Sequence, residues 1–128
     1  MNILLDTCTF LWVVSGSPDL SDNARSLFSD PANEVFLSVA SAWEIIVKHR
    51  LGKLPLPDPP HEFIKKWRNS HDIDSLPLNE DAVLQLSRLP DYHKDPFDRI
   101  LICQAIAGSL VILTPDPHIT GYPVRVEW

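Results

Sequence analysis

The chain has 128 residues, 45% hydrophobic and 22% charged, the size and make-up of one globular domain that can bury its own core. Its net charge of −6 argues against a grip on nucleic acid through a broad basic face, although a nuclease that commits carboxylates to a cation stays open. Two cysteines, Cys8 and Cys103, are too few for a disulfide scaffold and lack partners at zinc-ligand spacing, while no apolar run reaches the ~20 residues of a membrane span.

Met1-Asn2-Ile3 lacks the basic segment of a secretory signal, so a cytoplasmic setting is expected. Asn2 to Asp6 (N-I-L-L-D) is a short apolar run ending in a carboxylate, the pattern of a strand buried on both faces. Thr7 to Val14 predicts a helix closed by Gly16-Ser17-Pro18, and Ser21-Asp22 caps a second helix through Phe28. Val35 to Leu37 reads as a strand. Ser38 then stands as the N-cap of a helix that Gly52 ends. Lys53 to Pro60 holds four of the 12 prolines and must be an extended connector.

A helix carrying Phe63, Ile64 and Trp67 follows, then a weak strand from Ile73 to Leu76. Glu80 to Leu89 is amphipathic, with Ala82, Val83, Leu86 and Leu89 on one stripe. Pro96 sits at the first position of a helix running to about Ala107. Leu110 to Leu113 is a second buried strand, and Val124 to Trp128 reads as an edge strand. Alternating strands and helices predict an α/β sandwich around a mainly parallel sheet, where ligands bind outside the carboxyl ends of the strands.

Asp6 ends the first strand and Asp116 follows the L-V-I-L strand by two residues, so both lie at one rim of the sheet. Glu44 and Asp98 sit in early helical turns amid apolar neighbours, where an unpaired charge is costly. For Asp98 a favourable interaction with the helix dipole is an equally good reading. Asp95 precedes Pro96 and is an N-cap candidate, with a direct role in a metal shell as the alternative. Asp116 stands between Pro115 and Pro117, either aimed at the rim or making a turn. Thr7 and Thr114 offer hydroxyls to carboxylates or form simple turns. Arg99 either neutralises an acid, contacts phosphate or decorates the surface. His93, beside Asp95, invites a metal reading, but a lone histidine in a polar loop is more often solvated. The other bases (Lys48, His49, Arg50 and Lys53; Lys65, Lys66 and Arg68) read first as solvated faces and second as RNA contacts.

The motifs L-L-D-T at 4–7, S-A-W-E-I at 41–45, D-P-F-D-R at 95–99 and T-P-D at 114–116 resemble the ordered acidic motifs of the PIN domain, and the closing V-R-V-E-W is similar to the end of many toxins of the VapC group. The resemblance implies a single PIN-like three-layer sandwich and a Mg²⁺-dependent endoribonuclease of a toxin–antitoxin pair, often acting on tRNA or ribosomal RNA. It also implies a homodimer and an antitoxin tail bound near the acids. Carried over, Asp6, Glu44 and Asp98 match the three central acids and Asp116 the fourth. Cys8 stands where related toxins often carry His, so no role carries over there.

All-oxygen carboxylate sites suit Mg²⁺ and Mn²⁺. With only four glycines, no G-x-x-x-x-G-K or G-x-G-x-x-G motif occurs. A phosphoacceptor signalling domain fits poorly, because Leu5 rather than an acid precedes Asp6. A catalytically silent binding module remains as an alternative. In it the Phe10 to Val14 segment would serve assembly, although core packing is the plainer reading of those residues.

Overall fold

The computed structural model describes residues 1–128. Five strands form one sheet: β1 (Asn2–Leu5), β2 (Glu34–Ser38), β3 (Ile73–Leu76), β4 (Val111–Leu113) and β5 (Val126–Glu127), in the order β3-β2-β1-β4-β5 with every pair parallel. Leu5 aligns with Leu37 on one side and Leu113 on the other, so the three central strands end at the same edge. No helix is long and apolar enough to cross a membrane.

Parallel strands need crossover connections, and these place helices on both faces. Alternation within β1 shows the result. Ile3 and Leu5 join a core with Phe10, Val13, Leu37, Ile45 and Phe63, while Leu4 points the other way, onto Leu101, Ile102 and Ile112. The first core is covered by α1 (Thr7–Ser15), α2 (Asp22–Ser29), α3 (Val39–Arg50) and α4 (Pro60–Ser70); the second lies under α6 (Pro96–Gly108). Three layers result.

Helix boundaries follow cap chemistry. Ser21 and Ser38 accept hydrogen bonds from Ala24 N–H and Ala40 N–H, at 3.0 Å each, which satisfies donors that a helix start leaves orphaned. Gly16 and Gly52 close α1 and α3 at φ +65° and +72°, a region that L side chains avoid. Phe10 and Val13 are buried, Leu11 and Val14 pack partly against them, and Trp12 tilts against Trp128 at 5.7 Å. That segment is core.

Three expectations need correction. The amphipathic stretch is not one helix: α5 covers Glu80–Gln85, and a 3₁₀ turn follows over Leu86–Arg88. Ala82 and Leu89 are buried, while Val83, about 100° round α5 from Ala82, is 42% exposed. Between Asp116 and the final strand lies an unforeseen short helix, α7 (Pro117–Thr120), whose Ile119 is fully buried. The last strand is two residues long rather than five.

Leu5 makes no contact with solvent, so Leu5→Ala should lower stability by about 2–5 kcal/mol. Exposed Val83→Ala should stay within about 0.5 kcal/mol of wild type. Urea denaturation read by far-ultraviolet circular dichroism gives both midpoints.

Candidate active site

At the carboxyl edge of the sheet the chain leaves β1 into α1, and Asp6 is the hinge. Its Oδ1 accepts the Thr9 N–H at 2.7 Å, capping α1, and its Oδ2 accepts the Thr114 hydroxyl from just beyond β4. Thr9 adds a lateral tie by donating its hydroxyl to the Leu113 carbonyl at 2.8 Å. Asp6 is only 5% exposed. Burial lifts its carboxyl above the usual range, the hydrogen bonds from Thr114 and Thr9 oppose that, and the Asp116 charge adds to the rise.

The next residue, Thr7, donates its hydroxyl to Glu44 Oε1 at 2.6 Å and reaches Ser41 Oγ at 3.0 Å. Glu44 is also 5% exposed. Its Oε2 is paired with Lys48, one turn later on α3. Glu preceding Lys by four residues is the favourable orientation on a helix, and the pair counters the cost of burying the carboxylate. The pairing and the negative charge of Asp95 hold the Lys48 ammonium above its ordinary value, against a smaller opposing effect of desolvation.

The loop before α6 supplies a third group. Asp95 Oδ1 accepts the N–H of Phe97 at 2.9 Å and of Asp98 at 3.2 Å, so it caps α6 with Pro96 at the first helical position. Asp98 Oδ2 lies 2.9 Å from His93 Nε2. This corrects the reading of His93 as a solvated loop residue: its backbone N–H donates to the Tyr122 hydroxyl at 2.8 Å and its ring stacks on His118. Arg99 turns away from the acids, donating to the carbonyls of Pro90 and His93 and pairing with exposed Asp91. Asp116 caps α7 through the His118 N–H at 2.9 Å, and its own N–H donates to Thr114 Oγ1.

The acids act on one another. Asp98 has its pKa pushed up to about 6, first by burial and then by the charges of Asp95, Glu44 and Asp116, with the His93 hydrogen bond opposing. The Cys8 thiol is held up by desolvation, then by Asp6 and Glu44, and more weakly by Asp98. Carboxylates from four separate segments thus share one neighbourhood. Lys48 and His93 escaped the sequence-based site. The spacing of Glu44 and Lys48 was a usable signal, and the place of His93 two residues before Asp95 was another, outweighed by the solvated-loop reading.

A family model described as PIN domain matches residues 3–123. Over 46 residues the chain is 44% identical to Ribonuclease VapC16 of Mycobacterium tuberculosis, covering 36% of this chain and 33% of that protein. The match thus spans about a third of the curated relative's length. Among solved structures, the fold is similar to a chain in VapBC2 from Rickettsia felis bound to a DNA fragment from their promoter (TM-score 0.74, 14% identity, covering 99% of this chain and 98% of that one). It is also similar to a chain in DNA-bound VapBC from Salmonella typhimurium (TM-score 0.73, 17% identity, 99% and 97% covered).

An acid whose folded pKa lies above its unfolded one binds its proton more tightly in the native state. Its contribution to stability is present at low pH and is lost as pH rises from the ordinary 3.8 through about 6. In EDTA, Asp98→Asn should therefore flatten the fall in stability across that window and melt higher than wild type at pH 7.5. Thermal melts from pH 4 to 7.5 read this directly. At Asp95, Asn should hold the cap whereas Ala should cost about 1 kcal/mol, seen as a lower melting temperature for Asp95→Ala alone.

Proposed function

Because this chain belongs to the PIN-domain family, we propose that it is a divalent-cation-dependent endoribonuclease and the toxin member of a toxin–antitoxin pair. The observation that carries this reading is the meeting at one sheet edge of buried Asp6 and Glu44, tied through Thr114 and Thr7, with the charges of Glu44, Asp95 and Asp116 acting on Asp98 there. Carboxylates pressed together under partial burial raise one another's proton affinity. A cation of the Mg²⁺ or Mn²⁺ class relieves that repulsion, and an oxygen-only donor set suits it.

Asp6, Glu44, Asp98 and Asp116 would hold the cation. Every oxygen already accepting a hydrogen bond keeps a further lone pair. When bound, Mg²⁺ or Mn²⁺ lowers the pKa of a water and neutralises the scissile phosphate. The protein's own groups do the rest. Thr9 and Thr114 fix both oxygens of Asp6, and Thr7 fixes one oxygen of Glu44. Such fixed supports keep donors in place without reorganisation during reaction. Lys48, on the half-exposed side of the cluster, offers a positive charge to an incoming phosphate.

On this reading the substrate is RNA, the setting is the cytoplasm, and two protein partners are an antitoxin and a second copy of the chain. An apolar hollow beside the acids supports a protein partner. It is lined by Val39, Ala40, Trp43, Leu78, Pro96, Phe97 and Ile100. Trp43 is 63% exposed there and meets Phe97 edge-on at 5.5 Å, an arrangement of aromatics typical of interface centres.

Asp6→Asn, Glu44→Gln and Asp98→Asn should each reduce Mn²⁺-dependent cleavage of total cellular RNA to below roughly one-hundredth of wild type. Each variant should keep its fold, since Asn caps α1 as Asp6 does and the amide oxygen introduced by Glu44→Gln can still accept from Thr7. Gel assays with Mg²⁺, Mn²⁺ or EDTA, alongside circular dichroism, decide the matter. Retained cleavage by folded Asp98→Asn would overturn the assignment.

A further inference from the structure

Asp95 and Asp98 differ from Glu44 in one respect. Lys48 pairs with Glu44, whereas neither aspartate forms an ion pair with any Lys or Arg. The group that meets Asp98 is an imidazole, with His93 Nε2 at 2.9 Å from Oδ2. Asp95 spends Oδ1 on the helix cap and Asp98 turns Oδ2 to His93, so Oδ2 of Asp95 and Oδ1 of Asp98 have no protein donor. One ligand atom from each of His93, Asp95 and Asp98 lies within 4.8 Å of the others.

His93 is held in place through its backbone and its ring. Its backbone N–H is fixed by the hydroxyl of buried Tyr122, its carbonyl accepts from Arg99 at 3.3 Å, and its ring lies parallel to His118 at 4.6 Å and 7°. Ligands at right angles around an ion, each roughly 2.1 Å from it, stand about 3 Å apart. The 2.9 Å hydrogen bond between Nε2 and Oδ2 thus already holds these two atoms close enough together to face one ion. Nδ1 makes no hydrogen bond within the protein, so it can carry the ring proton and leave the Nε2 lone pair free.

We propose that His93, Asp95 and Asp98 form a cation site of one nitrogen and two oxygen donors, selecting imidazole-favouring transition-metal ions of the Co²⁺, Ni²⁺ and Zn²⁺ class over Mg²⁺. The inference deepens the nuclease reading and rests on it in one respect, since Asp98 is common to this site and the carboxylate cluster. His93 sets which cation the shared carboxylate favours.

The test is a titration of the whole chain at pH 7.5 with CoCl₂ and, separately, MgCl₂, by calorimetry and by the visible absorption of bound Co²⁺. Wild type, His93→Ala and His93→Gln are compared after circular dichroism has verified the fold. Both variants should lose Co²⁺ affinity on the order of 10-fold or more and shift the Co²⁺ spectrum, while Mg²⁺ affinity moves less than ~3-fold. Unchanged Co²⁺ affinity and spectrum in His93→Ala would overturn the site. So would full recovery by His93→Gln, which would reduce His93 to a hydrogen-bond donor that positions Asp98. A wild type that binds Mg²⁺ but is indifferent to His93 overturns this inference alone. A wild type that binds neither ion overturns the nuclease reading with it.

Discussion

Strand β1 has no solvent-facing side. Ile3, Leu4 and Leu5 are fully buried between two helical layers, and partners on both edges take up its backbone groups. A chain leaving such a strand must meet water and satisfy its polar groups within a residue or two. Asp6 does this by capping α1 and accepting the Thr114 hydroxyl. Because all five strands run the same way, the exits of β1, β2 and β4 coincide, and the helix starts that follow them converge. The placing of Asp6 and of the helix starts at Ser38 and Asp116 is thus a consequence of sealing the central strand, and the loop before α6 brings Asp95 and Asp98 to them.

That convergence sets up an electrostatic conflict. Local needs are met one by one: Asp6, Asp95 and Asp116 each cap a helix, and Glu44 has Thr7 and Lys48. Summed over the edge, negative charge accumulates where burial already disfavours it, and Asp98 registers the excess most clearly. Structural satisfaction of each acid and functional tension among them coexist. The supports fix where the carboxylates point, and the tension is what a bound cation of the proposed site would relieve.

Legibility in the sequence followed the range of the interactions. N-I-L-L and V-I-L are uninterrupted apolar runs, so both central strands could be read directly, and Ser21, Ser38 and Asp95 revealed helix starts because capping spans three residues. Asp6 and Asp116 could be referred to one edge from strand polarity, whereas Glu44 and Asp98 stood out only as helix acids in apolar surroundings. The two-residue final strand and the 3₁₀ turn could not be foreseen, since tertiary packing decides where marginal segments stop. Asp116 was ambiguous because its flanking prolines suit a turn or a helix start equally. Thr7 meets Glu44 across 37 residues, and His93 is held by Tyr122 from 29 residues away. Such contacts have no period and no local motif.

The hydrogen bond between Thr114 and Asp6 spans 108 residues of chain, and β1 meets β4 over nearly the same separation. During synthesis from the amino end, β1, β2 and β3 can pair among themselves well before β4 leaves the ribosome. The other edge of β1, and with it the second anchor of Asp6, closes only when almost the whole chain is available. Loop closure over such a distance is also the slow kind in a refolding chain. The acidic edge is therefore assembled in two stages: its Thr7–Glu44 link needs only the first third of the chain, and its Asp6–Thr114 link waits for nearly all of it.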